Sequence, residues 1–210
     1  MQYPNTPQQN LEFSCTNLAK LYYDEKKSVS YIAKLFKCSQ NKVNYYLDKC
    51  EIPKRTISEA IYHFRNPNGD PFIVRDLSEI QKNREAILYG LGIGLYWGEG
   101  QKNGKSGVRL TNTDPKLLNK FIDFLKVFFG INKDQLRFGL QIFNDLSSEI
   151  SLQYWTKMLG VNRKQFYKVV VSTVRGPGTY KNKSKNGVII VYFNNVKLKK
   201  TICNMIENIS

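Results

Sequence analysis

Three glycines spaced four residues apart constrain this chain more than any other feature. Gly90, Gly94 and Gly98 lie in the apolar stretch 87–100, and on a helix that spacing places all three along one face. Each glycine inside a helix costs about 1 kcal/mol relative to alanine, so the three together cost about 3 kcal/mol. We therefore expect a second helix to pack closely against this face and interpret the three glycines as an interface between two chains.

An acid follows the last of these glycines. Glu99 is adjacent to Gly98, so a partner helix of the same kind would bring a second Glu99 close to the first. The chain has one histidine, His63, which argues against zinc hydrolases with several imidazole ligands and against nucleases with a histidine base. A metal would have to be held by carboxylates, and this favours Mg²⁺.

The charge points to a polyanionic partner. The 210 residues include 32 Lys and Arg against 17 Asp and Glu, which gives a formal net charge of +15. Such a surplus is typical of nucleic-acid-binding proteins, although a merely basic soluble protein or a surface for acidic lipids stays open. The apolar run 87–96 is too short to span a bilayer, and the N-terminus has no signal-peptide pattern. We expect no membrane contact and a cytoplasmic location.

The four cysteines carry no recognisable motif. Cys15, Cys38, Cys50 and Cys203 are widely separated and form no C-x-x-C pair, which disfavours a zinc site and a disulfide framework. We expect reduced and mostly buried thiols.

Residues 1–57 predict a small helical domain. Helices are expected near 17–23, 30–36 and 40–49, with Ser39 as the N-cap of the third. This pattern resembles a helix-turn-helix, in which the apolar positions are Ile32, Ala33, Phe36, Cys38, Val43 and Tyr46. Lys37 stands in the turn, where that family often has glycine.

The helix-turn-helix resemblance implies a recognition helix that reads adenine edges in the major groove, followed by a basic segment for phosphates. The implied DNA contacts are Gln40, Asn41, Lys42, Asn44 and Tyr45 on the helix, and Lys54 and Arg55 after it. A generic three-helix bundle with a solvated surface is the alternative.

The remaining chain predicts a linker and a second domain of mixed α and β structure. The turn-rich segment 66–71 places the linker at residues 58–83. Residues 84–210 form the second domain, and the predicted fold class is α+β. Its strands are expected at 107–112, 136–142, 169–174 and 188–193, and its helices at 83–98, 115–129, 147–159 and 195–209.

The glycine helix, the trailing acid, the strands and the basic surplus together resemble the LAGLIDADG homing endonucleases. Residues 92–100 align with that motif, most clearly at Gly94, Leu95, Gly98, Glu99 and Gly100. Gly92 and Trp97 replace its first leucine and first acid, and glutamate replaces its catalytic aspartate. One copy of the motif is visible, which in this family implies a homodimer.

The resemblance implies a LAGLIDADG-like domain with a saddle-shaped antiparallel sheet whose polar face enters the major groove. It assigns Glu99 to metal binding and catalysis, and Lys102 is the candidate for polarising a phosphate or orienting water. A solvated lysine is the alternative for Lys102, and Asp114 is first of all a helix start. The implied DNA contacts are Arg109, Thr111, Arg137 and Gln141 on the sheet, and Arg175, Lys181, Lys183 and Lys185 in a lysine-rich hairpin.

The sequence therefore predicts a homodimeric, Mg²⁺-dependent endonuclease that cuts double-stranded DNA at specific sites. A transcription regulator that keeps the scaffold without cutting is the alternative, and an RNA-processing factor such as a maturase is a third hypothesis. We also expect Trp97 and Trp155 in the core. The three lysines Lys197, Lys199 and Lys200 are expected on a helix surface.

Overall fold

The computed structural model describes residues 12–173 and 184–209. The chain divides into two compact units, residues 1–70 and residues 71–210. The division falls inside the segment 58–83 that the sequence predicts as a linker. Each unit has its own hydrophobic core.

The first unit is helical. Its elements are α1 (Cys15–Ala19), a π-helical turn that continues it (Lys20–Asp24), α2 (Val29–Leu35), α3 (Gln40–Lys49) and α4 (Ile57–Arg65). Each of these α-helices begins with a hydroxyl N-cap whose side chain accepts a hydrogen bond from a backbone N–H of the first turn. The N-cap residues are Ser14, Ser28, Ser39 and Thr56. The predicted N-cap of α3 is confirmed, because Ser39 Oγ accepts from Lys42 N at 3.2 Å.

The core of this unit is small. It consists of Leu18, Leu21, Tyr22, Ile32, Ala33, Val43 and Leu47. The sequence-based placement of Ile32, Ala33 and Val43 in the interior is confirmed, and Phe36, Cys38 and Tyr46 pack against it while half-buried. Three short helices thus meet around one cluster of apolar side chains.

The turn between α2 and α3 contains a lysine in a left-handed conformation. Lys37 has φ of +51°, a region that glycine adopts without steric penalty and that costs other residues about 1–2 kcal/mol. The turn is closed by a bond from Cys38 N to Ala33 O at 2.9 Å. Lys37 therefore takes the backbone conformation for which glycine is commonly used.

A disulfide joins Cys15 to Cys50, with Cα atoms 5.6 Å apart. The expectation that all four cysteines are reduced is wrong for this pair, whereas Cys38 and Cys203 are free. Cys15 is the first residue of α1 and Cys50 is the C-cap of α3. The two cysteines meet because these helices pack together, and sequence spacing does not reveal such an approach.

The described part of the second unit combines four α-helices with a sheet. Its elements are α5 (Asn83–Glu99), β1 (Val108–Asn112), α6 (Pro115–Phe129), β2 (Arg137–Phe143), α7 (Ser148–Leu159), β3 (Val170–Ser172), β4 (Val188–Phe193) and α8 (Val196–Glu207). Short 3₁₀ turns lie at Leu77–Glu79, Lys133–Gln135 and Arg163–Gln165. The chain is thus an α+β protein, as the sequence predicts.

The sheet has the strand order β1-β4-β2-β3. Strand β4 is antiparallel to β1 and to β2, but β3 is parallel to β2. The prediction of a wholly antiparallel sheet is therefore wrong at this edge. The reason is that α7 lies between β2 and β3 in the chain, and such a crossover lets the second strand run in the same direction as the first.

One side of the sheet carries the core. Alternate strand residues such as Leu110, Phe138 and Val191 are buried together with side chains of the helices. The indole of Trp155 is 1% exposed and donates to Asn186 O at 2.6 Å, so its predicted core position is confirmed. The other alternate residues face away from this core.

The second half of the predicted linker packs on the second unit. Phe72 is buried in its core, and Ile73 N donates to Phe129 O at 3.1 Å. Arg75 pairs with Glu85 at 2.9 Å. The first half forms α4 in the first unit, so the two halves of residues 58–83 belong to different units.

Candidate functional site

Helix α5 buries one face within its own chain. Gly92, Ile93 and Tyr96 are its buried residues. A Cβ atom at Gly92 would lie 2.1 Å from Phe124 Cγ, so only a glycine allows α6 to approach this closely. Gly92 is therefore required by packing inside one protomer.

The other face of α5 is exposed and apolar. A Cβ atom built at Gly90, Gly94 or Gly98 would meet nothing within 4 Å. The same face presents Ile87 and Leu91, which are 69% and 41% exposed. We call Ile87, Gly90, Leu91, Gly94 and Gly98 the glycine face. It places the three predicted interface glycines together, with no cover from the described parts of their own chain.

Trp97 is 49% exposed, so its predicted place in the core is wrong. Its neighbour Tyr96 occupies the buried position instead. The sequence does not distinguish the two aromatic residues, because the whole segment is apolar and either ring could pack in a core. The indole adds an exposed apolar ring to the end of α5 that carries Gly98 and Glu99.

Glu99 is the last residue of α5 and is exposed. The chain that follows is fixed to β1, since Gly100 forms an antiparallel bridge with Leu110 and Gln101 N donates to Arg109 O at 2.9 Å. A Cβ at Gly100 would lie 2.4 Å from Tyr96 O. This tight junction fixes the backbone directly after Glu99.

Two buried groups hold the loop after Glu99. Tyr96 Oη donates to Gln101 O at 3.1 Å, and burial raises the pKa of this phenol to about 12. Lys199 is 4% exposed and its ammonium donates to Gly104 O. The surface position predicted for Lys199 is therefore wrong, although Lys197 and Lys200 are exposed as expected.

Lys102 lies at the same end of α5 as Glu99. Its ammonium donates to the carbonyl of Trp97, which belongs to the last turn of the helix. A cation there stabilises the negative end of the helix dipole. Lys102 is exposed, and its two remaining donors leave a phosphate contact open to it.

Glu99 supplies one exposed carboxylate per chain to a candidate magnesium site. Among the described residues, no group of three or more His, Cys, Asp or Glu side chains could hold a metal. Mg²⁺ is commonly held by one or two carboxylates, with waters and substrate phosphates completing the shell. One exposed Glu99 from each of two chains fits that requirement. Asp114 does not join them, because its Oδ1 caps α6 by accepting from Lys116 N at 2.8 Å.

The four predicted DNA contacts on the sheet share its open face. These are Arg109, Thr111, Arg137 and Gln141, and each alternates with buried strand residues. The strand register aligns Arg109, Tyr192 and Arg137 in one row across three strands. Arg137 and Gln141 donate hydrogen bonds within the chain, from Arg137 Nη1 to Asp134 O at 2.8 Å and from Gln141 Nε2 to Ser172 Oγ at 3.2 Å.

Tyr192 at the centre of that row was missed by the sequence reasoning. The Arg109 guanidinium lies 5.2 Å from its ring centroid, and Gly139 leaves room for the ring, since a Cβ there would lie 3.0 Å from it. The exposed Tyr167 packs edge-on at 5.5 Å and accepts a bond from Asn194. The sequence predicts a strand at 188–193 but not its central position in the sheet, because its residues are apolar on both sides.

The basic surplus is concentrated in the second unit. Residues 71–210 contain 22 of the 32 Lys and Arg and 10 of the 17 Asp and Glu, a formal net charge of +12. Of the predicted hairpin contacts, Lys185 is exposed, whereas Arg175, Lys181 and Lys183 lie outside the described residues. The unit that carries Glu99 is therefore the more strongly attractive to a polyanion.

The outer side of α3 is polar. Gln40, Asn41, Lys42 and Tyr45 are exposed and Asn44 is half-buried. After α3, Lys54 pairs with Asp48 at 2.6 Å on the surface.

Arg55 forms hydrogen bonds within the first unit. Its guanidinium donates to the carbonyls of Tyr22, Lys26 and Lys27 and lies 4.1 Å from the Tyr22 ring centroid. Three of its five donors are thus used within the chain. This anchors the segment after α3 to the end of the first helix.

Comparison with known proteins identified no relative: no family model, no curated protein and no solved structure matches the chain. In the part of the chain that the structure describes, no helix combines the length and apolarity needed to cross a membrane.

Proposed function

We propose that the protein is a Mg²⁺-dependent, site-specific endonuclease of double-stranded DNA that acts as a homodimer. The observation that carries this proposal is the glycine face, which ends at an exposed carboxylate. The site belongs to the LAGLIDADG type that residues 92–100 resemble. We also propose a cytoplasmic location.

The dimer follows from the physical properties of that face. The exposed isoleucine, leucine and three glycines of this face destabilise a single chain for two reasons. Apolar area is left in water, and glycine has a low helix propensity. Both effects are offset if the same face of a second chain packs against it around a two-fold axis. Glycines then allow the two backbones to approach closely.

The chemistry follows from the position of Glu99 at the end of this contact. A two-fold axis through the glycine faces would bring one Glu99 from each chain to the same end of the interface. Mg²⁺, when bound there, offsets the repulsion of the carboxylates and supplies an activated water and a charge for the leaving oxygen. Glu99 holds and orients the ion, and Lys102 contacts the phosphate.

DNA recognition is assigned to two surfaces. The open face of the sheet offers Arg109, Thr111, Arg137 and Gln141, and Arg and Gln match guanine and adenine edges in the major groove. The net charge of +12 on residues 71–210 favours phosphate contacts there. On the first unit, the polar side of α3 provides a second reading surface of the helix-turn-helix type.

The test uses a randomised duplex library incubated with the purified protein and MgCl₂. The wild-type protein should cut a subset of sequences in both strands, and Glu99→Gln should bind them without cutting. Asp123→Asn is a matched control, because Asp123 is an exposed acid on α6. Cleavage by Glu99→Gln at the wild-type rate would contradict the assigned role.

A transcription regulator on the same scaffold is the second candidate. The observation that favours it is the first unit, whose exposed amide side chains on α3 could read DNA without any metal. Selection of one duplex sequence without cleavage, by wild-type protein and Glu99→Gln alike, would support this function instead.

A further inference from the structure

We propose that the Cys15–Cys50 disulfide is a redox-sensitive site that controls the folding of the first unit, and that dithiol reductants open it. The bond joins the first residue of α1 to the C-cap of α3. The enclosed segment contains α1, α2 and α3 and their turns. This inference goes beyond DNA cleavage and does not depend on it.

The first unit depends on this bond more than the second unit depends on any single contact. Among the described residues, its core has seven buried apolar side chains, against 27 in the core of the second unit. Its enclosed helical segments have at most ten residues each, with the π-helical turn counted in the first, and an isolated helix of that length is unstable in water. Small units with such a core commonly need a covalent cross-link to stay folded.

The position of the bond links the redox state to α3, the helix proposed to read DNA. Cys50 ends α3, and the chain reverses there through Glu51, which has φ of +54°. Apart from this bond, α3 is held to the first helix by apolar packing and by Arg55. Reduction therefore removes the one covalent restraint on this helix within the described residues.

Cys15 is the accessible end of the bond, because it is exposed whereas Cys50 is half-buried. A thiolate of the reductant attacks Cys15 Sγ, the S–S bond breaks, and Cys50 leaves as a thiolate that takes up a proton. The second thiol of the reductant then attacks the mixed disulfide and releases Cys15. Two electrons pass to the protein, and the dithiol is oxidised to a cyclic disulfide.

The expected size of the effect follows from loop closure. A cross-link with a sequence separation of 35 restricts the unfolded chain, and its loss should raise the unfolding equilibrium constant of the first unit by about 500-fold. The second unit contains neither cysteine and should be unaffected. The two units thus serve as test and internal control in one molecule.

The experiment is hydrogen exchange, followed by mass spectrometry, on the full chain with and without dithiothreitol. Amide protection in α2 and α3 should fall by about 500-fold on reduction, and protection in α6 and β2 should not change. Cys15→Ser/Cys50→Ser should reproduce the reduced pattern without reductant. Unchanged protection in α2 and α3 on reduction would overturn the proposal.

The free cysteines provide the matched control. Cys38→Ala/Cys203→Ala removes the two unpaired thiols and should keep the full response to dithiothreitol. A disulfide peptide that contains Cys38, found in the oxidised wild-type protein, would overturn the assignment.

The redox proposal and the proposed function are tested separately. If the protein selects no duplex at all, the proposed function fails, whereas the hydrogen-exchange data still decide the redox proposal.

Discussion

A Cβ atom at Gly92 would lie 2.1 Å from Phe124 Cγ, whereas a Cβ atom at Gly94, two residues later, would meet nothing within 4 Å. Helix α5 therefore has glycines of two kinds. Gly92 is required by packing within the protomer, whereas a Cβ at Gly90, Gly94 or Gly98 would contact no other described residue. Packing among the described residues does not account for the small size of these three glycines, and the proposed dimer does.

The first prediction compares two alanine substitutions on this helix. Gly92→Ala should destabilise the second unit by about 2 kcal/mol, because the added methyl group forces Phe124 aside. Gly94→Ala should stabilise the free protomer by up to about 1 kcal/mol, because alanine is the better helix former. Urea unfolding at low protein concentration measures both. Equal effects of the two substitutions would contradict this division of the glycines.

The second prediction concerns association. Gly94→Leu should weaken the homodimer at least about tenfold, because the side chain separates two closely packed backbones. Sedimentation equilibrium gives the dissociation constants, and Lys120→Leu, an exposed change on α6, is the control. A wild-type protein that stays monomeric at all concentrations would refute the interface.

The third prediction tests the turn between α2 and α3. Lys37→Gly should stabilise the first unit by about 1 kcal/mol, because glycine adopts the left-handed conformation without penalty. Lys34→Gly should destabilise it by about 1 kcal/mol, because Lys34 is an exposed residue inside α2. Thermal unfolding monitored by circular dichroism distinguishes the two. A loss of stability in both variants would argue against this turn geometry.

The fourth prediction concerns alkaline pH. Burial raises the pKa of Tyr96 from 10.0 to about 12, so the contribution of its neutral form is complete below pH 10 and is lost as the pH rises towards 12. Tyr96→Phe removes the hydrogen bond to Gln101 O, so the free energy of unfolding at pH 7 should fall by about 1 kcal/mol. The stability of this variant should then fall less steeply than that of the wild type between pH 10 and 12, as measured by urea unfolding. Identical slopes would contradict the buried position of the phenol.

Local sequence rules predicted much of the second unit. Asp114 and Pro115 mark the start of α6 and Gly130 its end, because capping and the left-handed conformation are local properties. The alternation in β1 and β2 placed Arg109 and Arg137 on the open face for the same reason. Such patterns need no knowledge of the rest of the fold.

The features that the sequence did not reveal depend on packing between distant segments. Cys15 and Cys50 meet because α1 packs against α3, and the buried ammonium of Lys199 finds its acceptor 95 residues away at Gly104. Trp97 and Tyr96 are adjacent aromatics, and Tyr96 is the buried one because its ring stacks on Phe121 of α6 and its hydroxyl reaches Gln101 O. The parallel direction of β3 likewise follows from the path of α7.

The central claim is that one Glu99 from each of two chains acts at a shared site. The most direct measurement uses heterodimers of wild-type and Glu99→Gln chains, purified through two different tags and incubated with MgCl₂ and a supercoiled plasmid that carries the selected target. We predict nicked circles from the heterodimer, linear DNA from the wild-type dimer, and intact plasmid bound by the Glu99→Gln dimer. Linear product from the heterodimer at the wild-type rate, or intact plasmid after incubation with the wild-type protein, would contradict the account.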